Sequence, residues 1–152
     1  MKAVIVGAGS VGVQLARELI SQNTDVVLIE KNPEVVSRAT NTLDCMVVEG
    51  DGASLDVLKS AGTDAADFFV AATNSDEINL VACGIVGSEF AQVRKIARVR
   101  SAEYPTRMLT ERRFFGIDYV VNPDVEAANA IVRAIEHGAV SDIMHFEGSR
   151  MQ

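Results

Sequence analysis

The sequence contains few of the residues from which disulfide frameworks and metal sites are built. It has two cysteines, two histidines and no tryptophan in 152 residues. Two cysteines exclude a disulfide framework and a four-cysteine zinc site, and no cluster of His, Cys and acidic residues shows the spacing of metal ligands. Cys45 and Cys83 both lie in apolar segments, which predicts two reduced core residues.

Positive charge is also in short supply. The chain has 14 Lys and Arg against 21 Asp and Glu, which gives a formal charge of −7. This balance argues against a nucleic-acid binder or a membrane-surface binder, since both need a basic face. No apolar stretch approaches the ~18 residues of a spanning helix, and the N-terminus lacks the layout of a signal peptide. Any link to a membrane is therefore expected to run through a partner protein.

Six short apolar segments alternate with amphipathic ones, and most are rich in Val, Ile or Phe, as expected of strands buried on both faces of a sheet. The predicted strands are 3–6, 26–29, 45–48, 68–72, 93–99 and 119–121, and helix starts are predicted at Ser10, Asn32-Pro33, Ser54, Asn74, Ser101 and Asn122-Pro123. One βα unit needs roughly 27 residues, so this chain holds six. The predicted fold class is α/β: a Rossmann-like, doubly wound, parallel six-stranded sheet in the order 3-2-1-4-5-6 with helices on both faces. Residues 143–146 are predicted to form a further short strand.

The first predicted strand leads into a glycine motif, Gly7-Ala8-Gly9-Ser10-Val11-Gly12, that opens the first predicted helix. Gly7 permits a tight turn, Gly9 lets the backbone approach a pyrophosphate, and Gly12 lets the helix pack close to the strand. The helix N-terminus supplies N–H groups and a partial positive charge. Glu30 ends the second strand and can accept hydrogen bonds from an adenosine ribose. The combination predicts a dinucleotide site; the alternative is an ordinary glycine turn with a surface Glu.

Glu30 also bears on the choice of nucleotide. Its carboxylate would repel a 2′-phosphate, so NAD is favoured over NADP, although Lys31 partly offsets that repulsion. The sequence does not separate NAD(H) from ATP or ADP, because each offers an adenosine ribose and phosphates to the same loop.

Further ligand contacts are predicted where neighbouring strands end. Thr73 and Asn74 follow the fourth strand, and in the doubly wound order they face the glycine loop; Asn74 can alternatively cap the following helix. Asp51 and Gly52 lie in a turn near the expected adenine, where Asp51 is either a base contact or an ordinary loop residue. Arg98 ends the fifth strand, where it can pair with a phosphate or, alternatively, form an ion pair with a surface carboxylate.

These residues together resemble the RCK domain, also called the KTN or TrkA-N domain. The shared elements are the loop 7–12, Glu30, Gly50-Asp51-Gly52, Ala72-Thr73-Asn74-Ser75-Asp76-Glu77-Ile78-Asn79, Ala97-Arg98 and the segment 116–123. The Thr-x-x-Asp-x-x-Asn stretch is far more specific than the glycine motif. One departure is Gly-Asp-Gly-Ala in place of the family's common Gly-Asp-Ala-Thr. Ala53 has no hydroxyl, which weakens any role for a hydroxyl at this position.

The resemblance covers residues 1 to about 140, so a dinucleotide-binding domain is expected at 1–140 and the start of a connection to the family's C-terminal lobe, which this sequence lacks, at 141–152. It implies a cytoplasmic regulatory subunit that reaches the inner face of the cell membrane through a potassium transporter or channel. It further implies binding of NAD(H), with ATP or ADP at the same site, and assembly into a homodimer or larger ring. Bound nucleotide would then bias a gate by shifting populations of ring geometries.

The alternative function is that of an NAD-dependent oxidoreductase represented by its cofactor domain. Such an enzyme needs a proton-transfer group near the nicotinamide, commonly His, Lys or Tyr. The only histidines are His137 and His145, and neither follows strand four or five. No catalytic residue is therefore predicted, and binding without turnover is favoured.

The last predicted helix, 124–137, carries two adjacent apolar stripes. One consists of Val125, Ala128, Val132 and Ile135, and the other of Ala127, Ile131 and Ala134. Two stripes are wider than one packing contact needs, which predicts self-association. The alternative is a last helix fully buried within one domain.

Overall fold

The computed structural model describes residues 1–111 and 115–150, with the backbone alone for 139–150. Strands and helices alternate through this part of the chain. In order they are β1 (Lys2–Val6), α1 (Ser10–Ser21), β2 (Asp25–Glu30), α2 (Pro33–Thr42), β3 (Met46–Glu49), α3 (Leu55–Ser60), a 3-10 turn (Thr63–Ala65), β4 (Phe68–Ala71), α4 (Asp76–Glu89), β5 (Arg94–Arg98), α5 (Thr106–Thr110), β6 (Tyr119–Val121) and α6 (Pro123–Arg150).

The six strands form one parallel sheet in the order β3-β2-β1-β4-β5-β6, which confirms the predicted fold class and strand order. β1 lies between β2 and β4, with Val6 opposite Ile29 on one side and Ala71 on the other. The strand order therefore reverses beside β1. Because parallel strands end at the same edge, the loops after β1, β2 and β4 meet there.

Side chains alternate between the two faces of the sheet and build a core on each. Val4 and Phe69 belong to the core under α3, α4 and α5, whereas Ile5 and Leu28 belong to the core under α1 and α2. Helices thus cover both faces, as a parallel sheet requires. Cys83 lies fully buried in the first core as a free thiol, and burial raises its pKa to about 12 against the lowering effect of Lys95.

The helix starts follow the predicted caps at some positions and not at others. Asn32 caps α2 as predicted, since its side-chain oxygen accepts a hydrogen bond from the N–H of Glu34 at 3.0 Å and proline follows it. The prediction that Asn74 caps α4 is wrong. The cap is Ser75, whose Oγ accepts from the N–H of Ile78 at 3.2 Å.

The predicted cap of the fifth helix is also wrong. α5 begins at Thr106, with Pro105 in the cap position. Ser101 instead forms a local turn, in which its Oγ accepts from the N–H of Glu103 at 3.2 Å. A serine hydroxyl stabilises a turn and a helix start by the same kind of bond, so the sequence pattern alone does not separate the two.

The chain divides into two compact units, Met1–Val121 and Asn122–Gln152. In the second unit Asn122 caps the helix as predicted: its Oδ1 accepts hydrogen bonds from the N–H groups of Asp124 and Val125 at 3.1 and 3.3 Å. α6 continues unbroken to Arg150, so the predicted strand at 143–146 is wrong. A four-residue apolar run does not distinguish a strand from a turn of helix, and no proline interrupts the helix before it. The predicted domain end at 140 stays a prediction.

Candidate nucleotide-binding site

A cleft of about 920 Å³ opens at the carboxyl ends of β1, β2, β3 and β4. This is the edge of the sheet at which the strand order reverses, where open α/β folds bind ligands. Ten of the predicted ligand-binding residues line it: Gly7, Ala8, Gly9, Ser10, Glu30, Lys31, Asp51, Gly52, Thr73 and Asn74. Val11, Gly12 and Arg98 are not among the lining residues, so any ligand contact by these three stays a prediction.

The three motif glycines have different roles in this cleft. Gly7 has φ +101°, and a Cβ there would lie 2.9 Å from the carbonyl oxygen of Ala72. A Cβ on Gly12 would collide with the carbonyl oxygen of Gly7, which explains how α1 starts directly against the loop. A Cβ on Gly9 would meet no atom of the described residues within 4 Å. Gly7 and Gly12 are therefore required by the fold itself, whereas the space beside Gly9 opens into the cleft.

Glu30 lies at the end of β2 and its carboxylate is fixed by three backbone amides. Oε2 accepts from the N–H of Ala8 at 2.8 Å, and Oε1 accepts from the N–H groups of Lys31 and Asn32 at 2.9 and 3.0 Å. A carboxylate has about four acceptor sites. One site therefore remains on Oε2, and it is oriented before any ligand arrives.

Basic side chains outnumber acidic ones along the cleft, even though the chain is acidic. Arg17, Lys31 and Arg38 line the cleft together with Glu30 and Asp51, which makes three cations against two carboxylates. Neither arginine was predicted from the sequence as a site residue. Arg17 lies seven residues after Ser10, two turns along the same face of α1. This spacing is the sequence feature that could have predicted Arg17 as a cleft residue. This local excess of positive charge suits a phosphate-bearing ligand.

The turn between β3 and α3 closes one side of the cleft. Asp51 accepts a hydrogen bond from the N–H of Ala53 at 2.9 Å through Oδ1 and also lines the cleft, so its contact with an adenine base stays a prediction. Gly52 is buried, and a Cβ there would collide with the side chain of Val6. The glycine thus lets this turn approach the end of β1.

Thr73 and Asn74 form the opposite side, which we call the far wall, and it is held by a buried amide. The N–H and hydroxyl of Thr73 both donate to Oδ1 of Asn79, at 2.9 and 2.7 Å. The Nδ2 group of Asn79 donates to the carbonyl oxygens of Thr73 and Arg98, at 3.2 and 2.8 Å. Asn79 is fully buried and was not predicted as a site residue, although it ends the Thr-x-x-Asp-x-x-Asn stretch.

Arg98 lies behind this far wall. Its Nη1 donates to the carbonyl oxygen of Thr73 at 2.9 Å and to Oδ1 of Asn74 at 3.1 Å. Its Nε is buried without a hydrogen-bond partner among the described residues. The side-chain oxygen of Asn74 thus accepts a hydrogen bond from Arg98, while the start of α4 is capped by Ser75.

The start of α4 also fixes the loop after β5. The two carboxylate oxygens of Asp76 accept from the N–H groups of Arg100 and Ser101, at 3.0 and 2.8 Å. The hydroxyl of Tyr104 donates to Glu77 at 3.2 Å, and this carboxylate raises the pKa of Tyr104. The stretch 73–79 therefore connects the cleft to the end of β5 and to the loop beyond it.

Two kinds of feature are absent from the described residues. No group of three or more His, Cys, Asp and Glu side chains there is placed to hold a metal ion. Over the same ranges, no helix combines the length and the apolar character needed to cross a membrane.

Comparison with known proteins gives matches across nearly the whole chain. The TrkA-N domain family model matches residues 3–123. The Trk system potassium uptake protein TrkA of Azorhizobium caulinodans is 37% identical over 153 residues, covering 98% of this chain and 33% of that protein. This chain thus spans about a third of the length of that relative.

Solved structures give the same picture at the level of the fold. The TrkA-N domain of the inner membrane protein ybaL from Escherichia coli has a TM-score of 0.78 at 21% identity and covers 88% of this chain and 95% of that one. The GsuK channel bound to NAD has a TM-score of 0.74 at 25% identity and covers 91% of this chain and 24% of that one. GsuK bound to ADP has a TM-score of 0.72 at 26% identity, over 90% of this chain and 34% of that one.

Proposed function

The chain belongs to the TrkA-N family, and from this premise we propose that it is a nucleotide-sensing regulatory module of a potassium uptake system. The observation that carries the proposal is the cleft itself. It combines an open position beside Gly9, an oriented ribose acceptor in Glu30 and an excess of cations. The similarity to Trk system potassium uptake proteins indicates the transport system to which such a module would belong.

The proposed ligand is an adenine nucleotide: NAD(H), or ATP or ADP at the same site. The phosphates would lie against the backbone beside Gly9 and the N-terminus of α1, where helix N–H groups and the partial positive charge stabilise anions. Glu30 would accept a ribose hydroxyl at its remaining site. Asp51 would lie near the base, and the far wall would face the second half of a dinucleotide. GsuK, solved with NAD and with ADP, supports both classes of ligand.

We propose regulation by binding, without turnover. Among the described residues, those that line the cleft include no His or Tyr, and their one lysine, Lys31, follows the proposed ribose acceptor Glu30 and is not part of the far wall that would face the second half of a dinucleotide. The oxidoreductase alternative gains no support from this lining. A nucleotide would act by binding one assembly geometry better than another, since a ligand shifts an equilibrium only by its differential affinity.

The proposed setting is the cytoplasmic side of the cell membrane, where the module would assemble as a homodimer or larger ring on an integral-membrane potassium transporter subunit. The exposed apolar side chains of α6 support self-association. Val125, Ile131, Val132 and Ile135 are between 51% and 65% exposed. An apolar helix face of this kind is typical of a surface that another subunit covers.

Calorimetric titration of the protein with NADH, NAD, ATP, ADP and AMP tests the proposal. We expect saturable binding of at least one of these nucleotides at one site per chain. Failure of all five to bind would remove the proposal. Incubation with NADH and a panel of carbonyl substrates tests the absence of turnover, and a fall in the nicotinamide absorbance would restore the enzyme alternative.

A further inference from the structure

The far wall of the cleft depends on one side chain that does not line the cleft. Asn79 is 0% exposed, and all of its hydrogen-bonding capacity is directed to the ends of β4 and β5. Burying an amide is unfavourable unless it is hydrogen-bonded, so a leucine here would pack at lower cost if shape were the only requirement. The four bonds of Asn79 therefore call for an explanation beyond filling space.

The position of Asn79 along the sheet gives that explanation. β4 and β5 pair from Phe68 opposite Arg94 to Ala71 opposite Ala97, where the parallel ladder ends. The amide of Asn79 continues the connection past this point, because its Nδ2 group donates to carbonyl oxygens in both chain segments.

Thr73 is the residue that this amide positions. Three of its polar groups, the N–H, the hydroxyl and the carbonyl, bond to Asn79. A Cβ on Gly7 would lie 3.0 Å from the N of Thr73, so the glycine loop packs against the same residue from the cleft side. Arg98 bonds to its carbonyl oxygen from the other side. A shift of Asn79 would therefore move the far wall relative to both the glycine loop and Arg98.

We propose that Asn79 is a positioning residue that sets the far wall of the cleft and thereby determines how well the site accepts the second half of a dinucleotide. The inference rests on the proposed nucleotide function. Glu30 and the open space beside Gly9 hold the adenosine and phosphate half without any contact to Asn79. Loss of Asn79 therefore affects NADH and spares AMP, which lacks the second nucleoside.

The main test is Asn79→Asp, which keeps the shape of the side chain but removes both N–H donors and places an oxygen against two carbonyl groups. We expect the affinity for NADH to fall roughly tenfold, as for one lost hydrogen bond between the displaced far wall and the second nucleoside, while the affinity for AMP changes less than about twofold. Hydrogen exchange gives a second readout, because the N–H of Thr73 bonds directly to Asn79 and should lose protection.

Thr63→Val is the matched control for general loss of stability. Thr63 is also 0% exposed, and its hydroxyl donates to the carbonyl oxygen of Leu58 at 2.7 Å, away from the cleft. We expect this variant to lose stability and keep NADH affinity. If Asn79→Asp does not fold, Asn79→Ala decides instead, because it removes the amide without burying a charge. Asn79→Ala should then weaken NADH and change the affinity for AMP by less than about twofold.

The outcomes separate the two proposals. A wild type that binds none of NADH, NAD, ATP, ADP and AMP would remove the proposed function. A wild type that binds ATP or ADP but not NADH would leave the proposed function intact and overturn the positioning role. A wild type that binds NADH and AMP, with a folded Asn79→Asp that binds both equally well or loses both equally, would leave the proposed function intact and overturn the positioning role. In the fallback variant, a folded Asn79→Ala that binds NADH as tightly as the wild type would overturn it.

Discussion

The carboxylate of Glu30, at the end of β2, accepts a hydrogen bond from the backbone N–H of Ala8 in the glycine loop, at 2.8 Å. The proposed ribose acceptor and the proposed phosphate loop are thus joined directly. Neither has to be ordered by the ligand, which reduces the entropic cost of binding.

Glu30→Ala should weaken NAD binding by roughly 1.5–3 kcal/mol, the range for a hydrogen bond to a charged group. It should also narrow the difference in affinity between NAD and NADP, because the carboxylate that repels a 2′-phosphate is gone. Binding titrations with both nucleotides measure the two effects. Glu49→Ala is the control, since Glu49 lies opposite Glu30 in the sheet register but does not line the cleft. An unchanged difference between NAD and NADP would show that Glu30 does not face the ribose.

Gly9→Val should abolish binding of NADH, ADP and ATP while leaving the fold intact. The new side chain would enter the open space that the phosphates are proposed to occupy, and it would contact no protein atom at its Cβ. Calorimetry and thermal denaturation separate the two effects. Retained affinity in a folded Gly9→Val protein would place the nucleotide elsewhere.

Gly12→Ala is the matched comparison from the same motif. Its Cβ would collide with the carbonyl oxygen of Gly7, so we expect a stability loss of about 1–3 kcal/mol, as for an overpacked site. Denaturant unfolding measures this loss. A Gly12→Ala protein as stable as the wild type would contradict the assigned close approach of α1 to the loop.

Arg98→Ala should weaken ATP and NADH more than adenosine, because only phosphates offer the guanidinium a charged partner. The variant also removes one of the two hydrogen bonds to the carbonyl of Thr73 and the bond to the side chain of Asn74, so part of the loss comes through the far wall. Arg94→Ala is the control on the same strand, with its guanidinium 6.0 Å from the ring centroid of Phe68. Equal losses for adenosine, ATP and NADH would mean that Arg98 is only structural.

Replacing Val132 and Ile135 with Glu should convert a dimer or larger assembly into a monomer that still binds nucleotide. The two side chains are 51% and 65% exposed, so the charges are tolerated in the isolated helix but not in a covered apolar face. Light scattering coupled to size exclusion at micromolar concentration reports the mass. A monomeric wild type would remove the self-association hypothesis, and a variant that unfolds would favour the buried-helix alternative.

Cys83 should resist thiol reagents at neutral pH in the folded protein. Burial raises its pKa to about 12 from an ordinary value of 9.0, so the reactive thiolate is scarce until the chain unfolds. Cys45 is only partly buried and should react first. Alkylation followed by mass spectrometry, with Cys45→Ser to isolate the slower thiol, measures the order. Rapid labelling of Cys83 in the folded state would contradict its place in the core.

The fold was predictable from the sequence because alternation of buried strands and amphipathic helices leaves few topologies for a parallel sheet. The glycine loop and Glu30 were placed correctly on the cleft for the same reason, since strand ends share one edge. Asn79 and Arg17 were not predicted, because their positions depend on which face of a helix packs where. Asn74 and Ser75 show a further limit. Both residue types can cap a helix, but Ser75 is the cap here, and the side chain of Asn74 bonds instead to Arg98, 24 residues away.

The different surroundings of Gly7, Gly9 and Gly12 have a consequence for reading the fingerprint in other sequences. Gly7 and Gly12 are constrained by atoms of the protein, so a related sequence that no longer binds nucleotides would still need both glycines in order to fold. At Gly9 no described residue comes within 4 Å of a Cβ, so under the proposed function only the bound nucleotide would exclude a side chain there. In other sequences with this pattern, glycines at the positions of Gly7 and Gly12 therefore indicate the same loop structure. The middle glycine instead indicates whether a phosphate can still bind.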